Sequence, residues 1–381
     1  MTSTVRVLAT VRDVPREAWD ALVADESPFL EWDWLAALED GGTVGRATGW
    51  LTQHLTLWDG DRLVGACPLY VKAHSMGEFV FDQTWAAAAH RAGIEYYPKL
   101  LVGVPFTPVT GPRFLAREPD VALVRSAFGA VLERLCAKNE FSSVHVNFCR
   151  PDEADDLAAR GWLRRTGYQY HWRNEGFRTF DDYLTSLRAK RRNQVRRERR
   201  ELDEQGVEIR TYVGDAIPGD VAPLVYRIYR STVDGTPWGQ RYLTRRFFEL
   251  ALERCRSRIC LVLAWQGGEV VAGTFNVQKG DVLYGRYWGA LRFLRHLHFN
   301  VCYYAAIEHC IAAGLSRFEP GAGGEFKQMR GFDASPTLSM HWIGDKRLRA
   351  AIADYLERER KAIAAEIEWY GDNTARKRDG D

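Results

Sequence analysis

Between Tyr284 and Gly331 the chain reads YGRYWGALRFLRHLHFNVCYYAAIEHCIAAGLSRFEPGAGGEFKQMRG. The alternation of apolar and polar positions predicts a strand, a polar loop, a helix, a short strand and a glycine-rich loop. Asn300 is the expected N-cap. Tyr304, Ile307 and Ile311 recur at helical spacing, and Gly314 supplies the stop. The strand over 316–319 then runs into Pro320-Gly321-Ala322-Gly323-Gly324. In an open α/β layer such a strand end is where backbone N–H groups and helix N-termini converge on ligands.

The same order of elements occurs earlier. WDGDRLVGACPLYVK (58–72) aligns without a gap on WQGGEVVAGTFNVQK (265–279), and both read as hairpins. The first copy is expected to continue through an extended segment, Phe79–Trp85, and a helix near Asp120–Lys138 with Val124, Phe128, Val131, Leu132 and Leu135 on one stripe. A strand over 143–148 follows. Its counterpart continues through 282–288, a helix over 301–313 and the 316–319 strand. This echo predicts duplication of one α/β domain, with residues 1–175 forming one copy and 176–381 the other. Short helix and strand patterns close each half, and an amphipathic helix spans Lys346 to Tyr370.

Between the copies, Thr179 and Asp182 make a capping-box pattern that opens a helix over 180–205. Its narrow apolar face carries Phe180, Leu184, Leu187, Val195 and Leu202; the rest is SLRAKRRNQVRRERRE. Arg188, Arg192, Arg196 and Arg200 form one i, i+4 row, and like charges at that spacing destabilise an isolated helix. Two compensations are open: neighbouring acids such as Glu198, Glu201 and Asp203, or a bound phosphate surface of tRNA, nucleotide or lipid. No interleaved aromatics mark a base-stacking platform, so sequence-specific RNA reading is not expected. The Pro/Gly-rich stretch Tyr96–Leu115 cannot be a central strand throughout; it reads as a buried connector or the wall of a groove.

Composition narrows the class. The 381 residues suffice for two domains, and 46% hydrophobic content excludes disorder. A net charge of +2 provides no global attraction to nucleic acid or membrane, so any such binding must be local. The N-terminal sequence has no signal-like apolar core and no window is long enough to span a bilayer, which makes the cytoplasm the expected compartment. Seven cysteines without a CxxC pair read as buried reduced thiols, with no metal site expected.

The candidate chemistry gathers at the second-copy strand end: Glu319, Glu325, Lys327 and Arg330, with Arg286, Arg292, Arg295, His296 and His298 beyond the helix. The equivalent end of the first copy carries His145 and Asn147 without a comparable charged loop, so chemistry is expected in the second copy alone.

The segments VPFTPVTGPRFL (104–115), YHWRNEGFRTFDDYLTSLRAKRRNQVRRERR (170–200), PWGQRYLTRRFFELAL (237–252) and 284–332 resemble the FemAB-like N-acyltransferases, which carry tandem GNAT folds. The resemblance runs from about Phe29 to Tyr370 and implies an α/β (α+β) chain of two GNAT-like domains, each a mixed twisted sheet flanked by helices. The family is named for its likeness to the peptidoglycan-bridge aminoacyltransferases, which move an amino acid from aminoacyl-tRNA to an amine. Their Phe-Lys and glycine turn are similar to Phe326-Lys327 and Gly331, and their arginine-rich helix to 188–200. The usual CoA-binding glycine turn is replaced by ALRFLRHLHFN, so aminoacyl-tRNA and an acyl-CoA or acyl-carrier thioester both stay open as co-substrates, with no tightly bound cofactor.

Acyl transfer to an amine needs a proton acceptor, a stabilised oxyanion and an aligned leaving group. Glu319 or Glu325 is the expected base; Arg286, His298, Lys327 and Arg330 can bind phosphate or developing charge; Tyr287, Trp288 and Tyr303 can shape the pocket of a small-molecule or peptide acceptor. Arg188, Arg192, Arg196 and Arg200 are the candidate donor contacts, possible tRNA contacts among them. The competing readings are a non-catalytic RNA- or nucleotide-binding module and a structural partner in envelope biosynthesis. Oligomeric state is open.

Overall fold

The computed structural model describes residues 3–235 and 239–377, with the backbone alone at Glu325. The chain divides into two compact units, each built from two stretches: 1–167 with 336–365, and 168–335 with 366–381. Both are mixed α/β units of twisted sheet flanked by helices, the GNAT-like class expected.

In the first unit, Ser3–Leu8, His54–Asp59, Arg62–Cys67 and Leu115–Ala116 form an antiparallel sheet. Pro68, which has no N–H to donate to a ladder, ends that run. The chain resumes as Leu69–Lys72 in a second sheet, between Trp50–Thr52 and Lys99–Val102, both antiparallel to it. Lys99–Val102 pairs in parallel with Ser143–Cys149, and residues 338–343 add antiparallel to that strand. The crossover between the parallel strands is the helix Val121–Lys138, whose Val124, Phe128 and Leu132 are fully buried as the periodicity predicts.

The extended segment expected at Phe79–Trp85 is not a strand. Trp85 lies in the helix Gln83–Arg91, and the third strand of this copy is Lys99–Val102. The reason is pairing: Lys72 and Lys99 face each other across the ladder, both fully buried, and Lys99 is neutralised by Glu78 (2.9 Å) and Asp82 (2.5 Å). Burying an ammonium without those carboxylates would cost several kcal/mol, roughly, so the segment before Trp85 is spent on closing the ion cluster.

In the second unit, Val207–Val213, Ile259–Gln266, Glu269–Lys279 and Val282–Ala290 are successive antiparallel neighbours. Val282–Ala290 then pairs in parallel with Arg317–Glu319, which is antiparallel to the end of the strand Leu163–Arg173. Hairpin, third strand, helix and parallel fourth strand thus occur in both units.

The capping box holds, with the Asp182 N–H donating to Thr179 Oγ1 (3.1 Å) and the Thr179 N–H to Asp182 Oδ2 (2.9 Å). The single helix expected over 180–205 is instead two, Phe180–Ser186 and Ala189–Asp203. Residues 375–377 lie alongside the break: the Arg188 N–H donates to Ala375 O (3.0 Å), and the Lys377 N–H to Ser186 O (2.8 Å). Backbone groups that a continuous helix would have used are satisfied by the C-terminal segment. All seven cysteines are buried free thiols.

Candidate functional site

A β-bulge and a proline open the site. Across the ladder from Glu269–Lys279, Gly285 faces Asn276 and Tyr287 faces Phe275, so Arg286 is the extra residue on the bulged strand. On its other edge the same strand pairs with Arg317–Glu319 through Tyr284↔Glu319 and no further. Pro320 follows, and Gly321, Gly323 and Gly324 all take positive φ (83°, 71° and 89°), carrying the chain away. The two parallel strands therefore part at Gly285, where a Cβ would already lie 3.1 Å from Pro320 Cα. Helix Ala222–Val233 covers the strand at Gly289, where a Cβ would stand 1.9 Å from Ile228 O. Only glycine permits that approach.

The gap is a cavity of about 340 Å³, and Arg286, Tyr287, Trp288, His298, Tyr303 and Lys327 all line it. The helix on the far side is not capped by Asn300. It begins at Leu297, after His296 in the left-handed region (φ 64°), and runs through a π-helical stretch, Asn300–Tyr304, into Ala305–Ala312. Asn300 is buried inside it, donating to Glu198 O (3.1 Å) and His296 O (3.0 Å). The wider π turn, a feature common at functional sites, presents Cys302 and Tyr303 to the cavity together with His298. The His298 ring lies 4.7 Å from that of Trp288 and 5.4 Å from that of Tyr303.

Burial sets the electrostatics. Lys327 is 3% exposed and donates from Nζ to Gly321 O (2.7 Å), and burial lowers its pKa to about 8. His298 is lowered to about 4 by burial and by the charges of Arg330 and Lys327, so its imidazole is neutral at pH 7. Burial likewise lowers Arg286 from its usual value. At neutral pH the cleft thus combines cationic groups with a neutral imidazole among aromatic rings.

Other candidates lie elsewhere. Glu319 does not line the cavity; it shares a strand face with Arg317 (2.9 Å), and Oε2 lies 3.8 Å from His171. Burial raises its pKa to about 7, against the pull of Arg317, Arg173 and Arg286. The side chain of Glu325 lies outside the described residues. Arg330 is buried in an ion pair with Glu198 (2.9 Å), stacked 3.5 Å over Phe299, and donates to the Tyr304 hydroxyl (2.8 Å). Burial would raise Glu198, but hydrogen bonds from Tyr304 and Gln194 and the Arg330 charge hold it below the usual range.

Of the arginine row, Arg188 precedes the helix, and Arg192 Nη1 lies 3.4 Å from Leu187 O. Arg196 and Arg200 are exposed, 3.6 Å from Asp181 and Glu204 respectively. Arg292 pairs with Glu269 (2.5 Å), and Arg295 and His296 meet Glu201 (3.2 and 3.0 Å).

Sequence reasoning missed Tyr229, Thr274 and Asn276 in the lining and Glu198 in the support. Thr274 and Asn276 carried a signal: polar residues two apart inside an apolar strand share one face, and Asn276 Nδ2 donates to Thr274 Oγ1 (2.9 Å). Glu198, expected as a neutraliser of the arginines on its own helix, pairs instead with Arg330, and nothing in the sequence ties those two. Among the described residues no group of three or more His, Cys, Asp or Glu side chains could hold a metal ion, and no helix is long and apolar enough to cross a membrane.

The chain belongs to the FemAB-like family, described by peptidoglycan biosynthesis/recognition, whose model matches residues 10–378. Among solved structures it is similar to FemX, with 11% identity over 93% of this chain and 100% of that one (TM-score 0.56). It is also similar to L-PGS from Bacillus licheniformis, with 8% identity over 84% of this chain and 93% of the other (TM-score 0.52). At these identities the likeness is one of fold. No curated protein matched the sequence.

Proposed function

We propose that the protein is an acyl- or aminoacyltransferase that moves the group from a phosphate-bearing donor, aminoacyl-tRNA or an acyl thioester, to an amine of a peptidoglycan-precursor peptide, and that the reaction takes place in the cleft of the second unit. The observation that carries this reading is the convergence of Arg286, His298 and Lys327 where the parallel strands part. Membership of the family supports the acceptor class.

In this mechanism Lys327, held by the Gly321 carbonyl, faces the oxyanion that forms as the amine attacks the acyl carbon. A preorganised cation in a site shielded from water is worth far more there than in bulk solvent. His298, neutral at working pH, takes the proton the amine loses, and the departing thiolate or ribose oxygen leaves towards Arg286. Trp288, Tyr287 and Tyr303 hold the acyl carbon and the amine in line. Glu319 sits behind the lining and bears on Arg286 by its charge only as it ionises, around pH 7 and above. Glu198 and Arg330 fix the loop that carries Lys327 against the basic helix.

The test is a transfer assay in which the purified chain is given charged tRNA or acyl-CoA with a muropeptide amine, and the product is read by mass spectrometry. A mass gain of one acyl or aminoacyl group, lost in Lys327→Ala, supports the reading. No product from either donor class with an active-site-intact protein overturns it.

A further inference from the structure

Resting on the transfer reading above, we propose that Asn276 binds the attacking amine of the acceptor, that Thr274 holds the Asn276 amide in place, and that the pair selects a primary amine. Both residues lie on Glu269–Lys279 and line the cavity. Asparagine is disfavoured inside strands, and Asn276 is 2% exposed. Its Nδ2 donates to Cys260 O, directly across the ladder (3.1 Å), and to Thr274 Oγ1 (2.9 Å). A carbonyl can only accept, so the first bond fixes which end of the amide is nitrogen, and the two bonds use both of its hydrogens. Oδ1 is left as an atom that can only accept. No donor among the described residues reaches it, and it is not sealed in, so it is offered to the cavity that Asn276 lines.

The neighbours supply the rest of the amine's surroundings. Thr274 faces Trp288 across the ladder, so the two side chains share a face of the sheet. The His298 ring lies 4.7 Å from that of Trp288. Asn276, Thr274, Trp288 and His298 thus follow one another along one wall of the cavity. A neutral primary amine has two N–H groups and one lone pair. With one N–H donated to Asn276 Oδ1 and the other to the neutral His298 imidazole, the lone pair is free for the acyl carbon. The N–C bond then forms and His298 takes its N–H proton. The C–O or C–S bond breaks, with its electron pair going to the leaving oxygen or sulfur. A secondary amine has one N–H and would put its substituent against Oδ1 or the imidazole.

The binding arm of the test contains no donor. Calorimetry on the full chain measures a muropeptide amine and its N-methyl derivative with the wild type, Asn276→Ala, Thr274→Val and Thr274→Ser. The transfer assay then gives kcat/KM for both acceptors and KM for the donor. The wild type should prefer the primary amine by about tenfold or more, and Asn276→Ala should bring that ratio to about one. Thr274→Val should lower it part of the way and Thr274→Ser restore it, with the donor KM unchanged and circular dichroism showing the variants folded. An asparagine with a structural role alone would change stability and leave the ratio where it was. A ratio unchanged in the folded variants, a change confined to the donor KM, or failure of the wild type to bind the muropeptide amine would overturn the proposal. A binding preference lost in Asn276→Ala, with no transfer by the wild type, would instead remove the transfer reading and keep the amine site.

Discussion

The two units place the same elements in the same order, yet the gap between their parallel strands is open in one and filled in the other. In the second unit the strands part after Tyr284↔Glu319, and glycines lead the chain away from the cleft. In the first, Lys99–Val102 and Ser143–Cys149 pair through Val102↔Val146, and the chain after Val102 returns to the end of Ser143–Cys149. The Gly111 N–H donates to Phe148 O (3.1 Å), and buried Arg113 donates to Asn147 O (2.6 Å) and Val109 O (2.5 Å). Glu153, fully buried, accepts from the N–H groups of Arg113 and Phe114 (2.7 and 2.8 Å). The returning loop thus satisfies strand-end groups of the first unit, while in the second the strand end borders the cavity. The two units share a skeleton and differ in the loops at the ends of their parallel strands: residues 103–114 in the first, and the glycine-rich 320–324 turn in the second.

The largest effect should come from exchanging roles across this comparison. Lys327→Ala is expected to lower turnover by about 10²-fold or more with little change in thermal stability. Arg113→Ala should do the reverse, leaving buried carbonyls without donors at a cost of about 2–4 kcal/mol while the folded fraction keeps its kcat. Steady-state kinetics and thermal melts of both variants decide it, and a large kcat loss in Arg113→Ala would mean that the first unit takes part in the chemistry.

The pH dependence of kcat/KM should be the next largest signal. His298 must be neutral, which holds above about 4, and Lys327 charged, which holds below about 8, so the profile should be bell-shaped between those limits. His298→Gln should remove the acid limb with a loss of about 10- to 10²-fold, and Lys327→Arg should carry the alkaline limb upward. A profile indifferent to both substitutions would remove these residues from the reaction.

Glu319 offers a smaller effect of defined sign. Its folded pKa is raised above the unfolded value, so its contribution to stability is fully present at low pH and is lost as pH rises through about 7. Glu319→Gln should therefore unfold at higher temperature than the wild type above pH 7 and at the same temperature near pH 4, with turnover reduced less than tenfold, roughly. A loss of turnover as large as that of Lys327→Ala would make Glu319 the base.

The smallest effect is expected from the exposed arginines. If the donor is a polynucleotide, log affinity should fall with log salt by roughly 0.7 per neutralised phosphate on single strands, and Arg196→Glu/Arg200→Glu should flatten that slope. Shallow dependence in both proteins would point to a small thioester donor.

What the sequence determined by itself was local. Hydrophobic spacing gave the buried stripe of Val124, Phe128 and Leu132; a single side chain fixed the Thr179 cap; the glycines after Pro320 announced a chain that could not continue as a strand. The clustering of Arg286, His298 and Lys327 near one strand end was legible too, because the crossover between parallel strands returns the chain to its starting edge. Tertiary structure decided the rest. The strand at Lys99–Val102 exists because Lys99 finds buried carboxylates, the helix break at Leu187–Arg188 because residues 375–377 take its backbone bonds, and the interior place of Asn300 because Glu198 O accepts from it. Glu198 itself became the partner of Arg330 across 132 positions of chain. Each of these is a polar group whose burial is tolerated only once a distant partner arrives, and a partner set by folding leaves no period in the sequence to read.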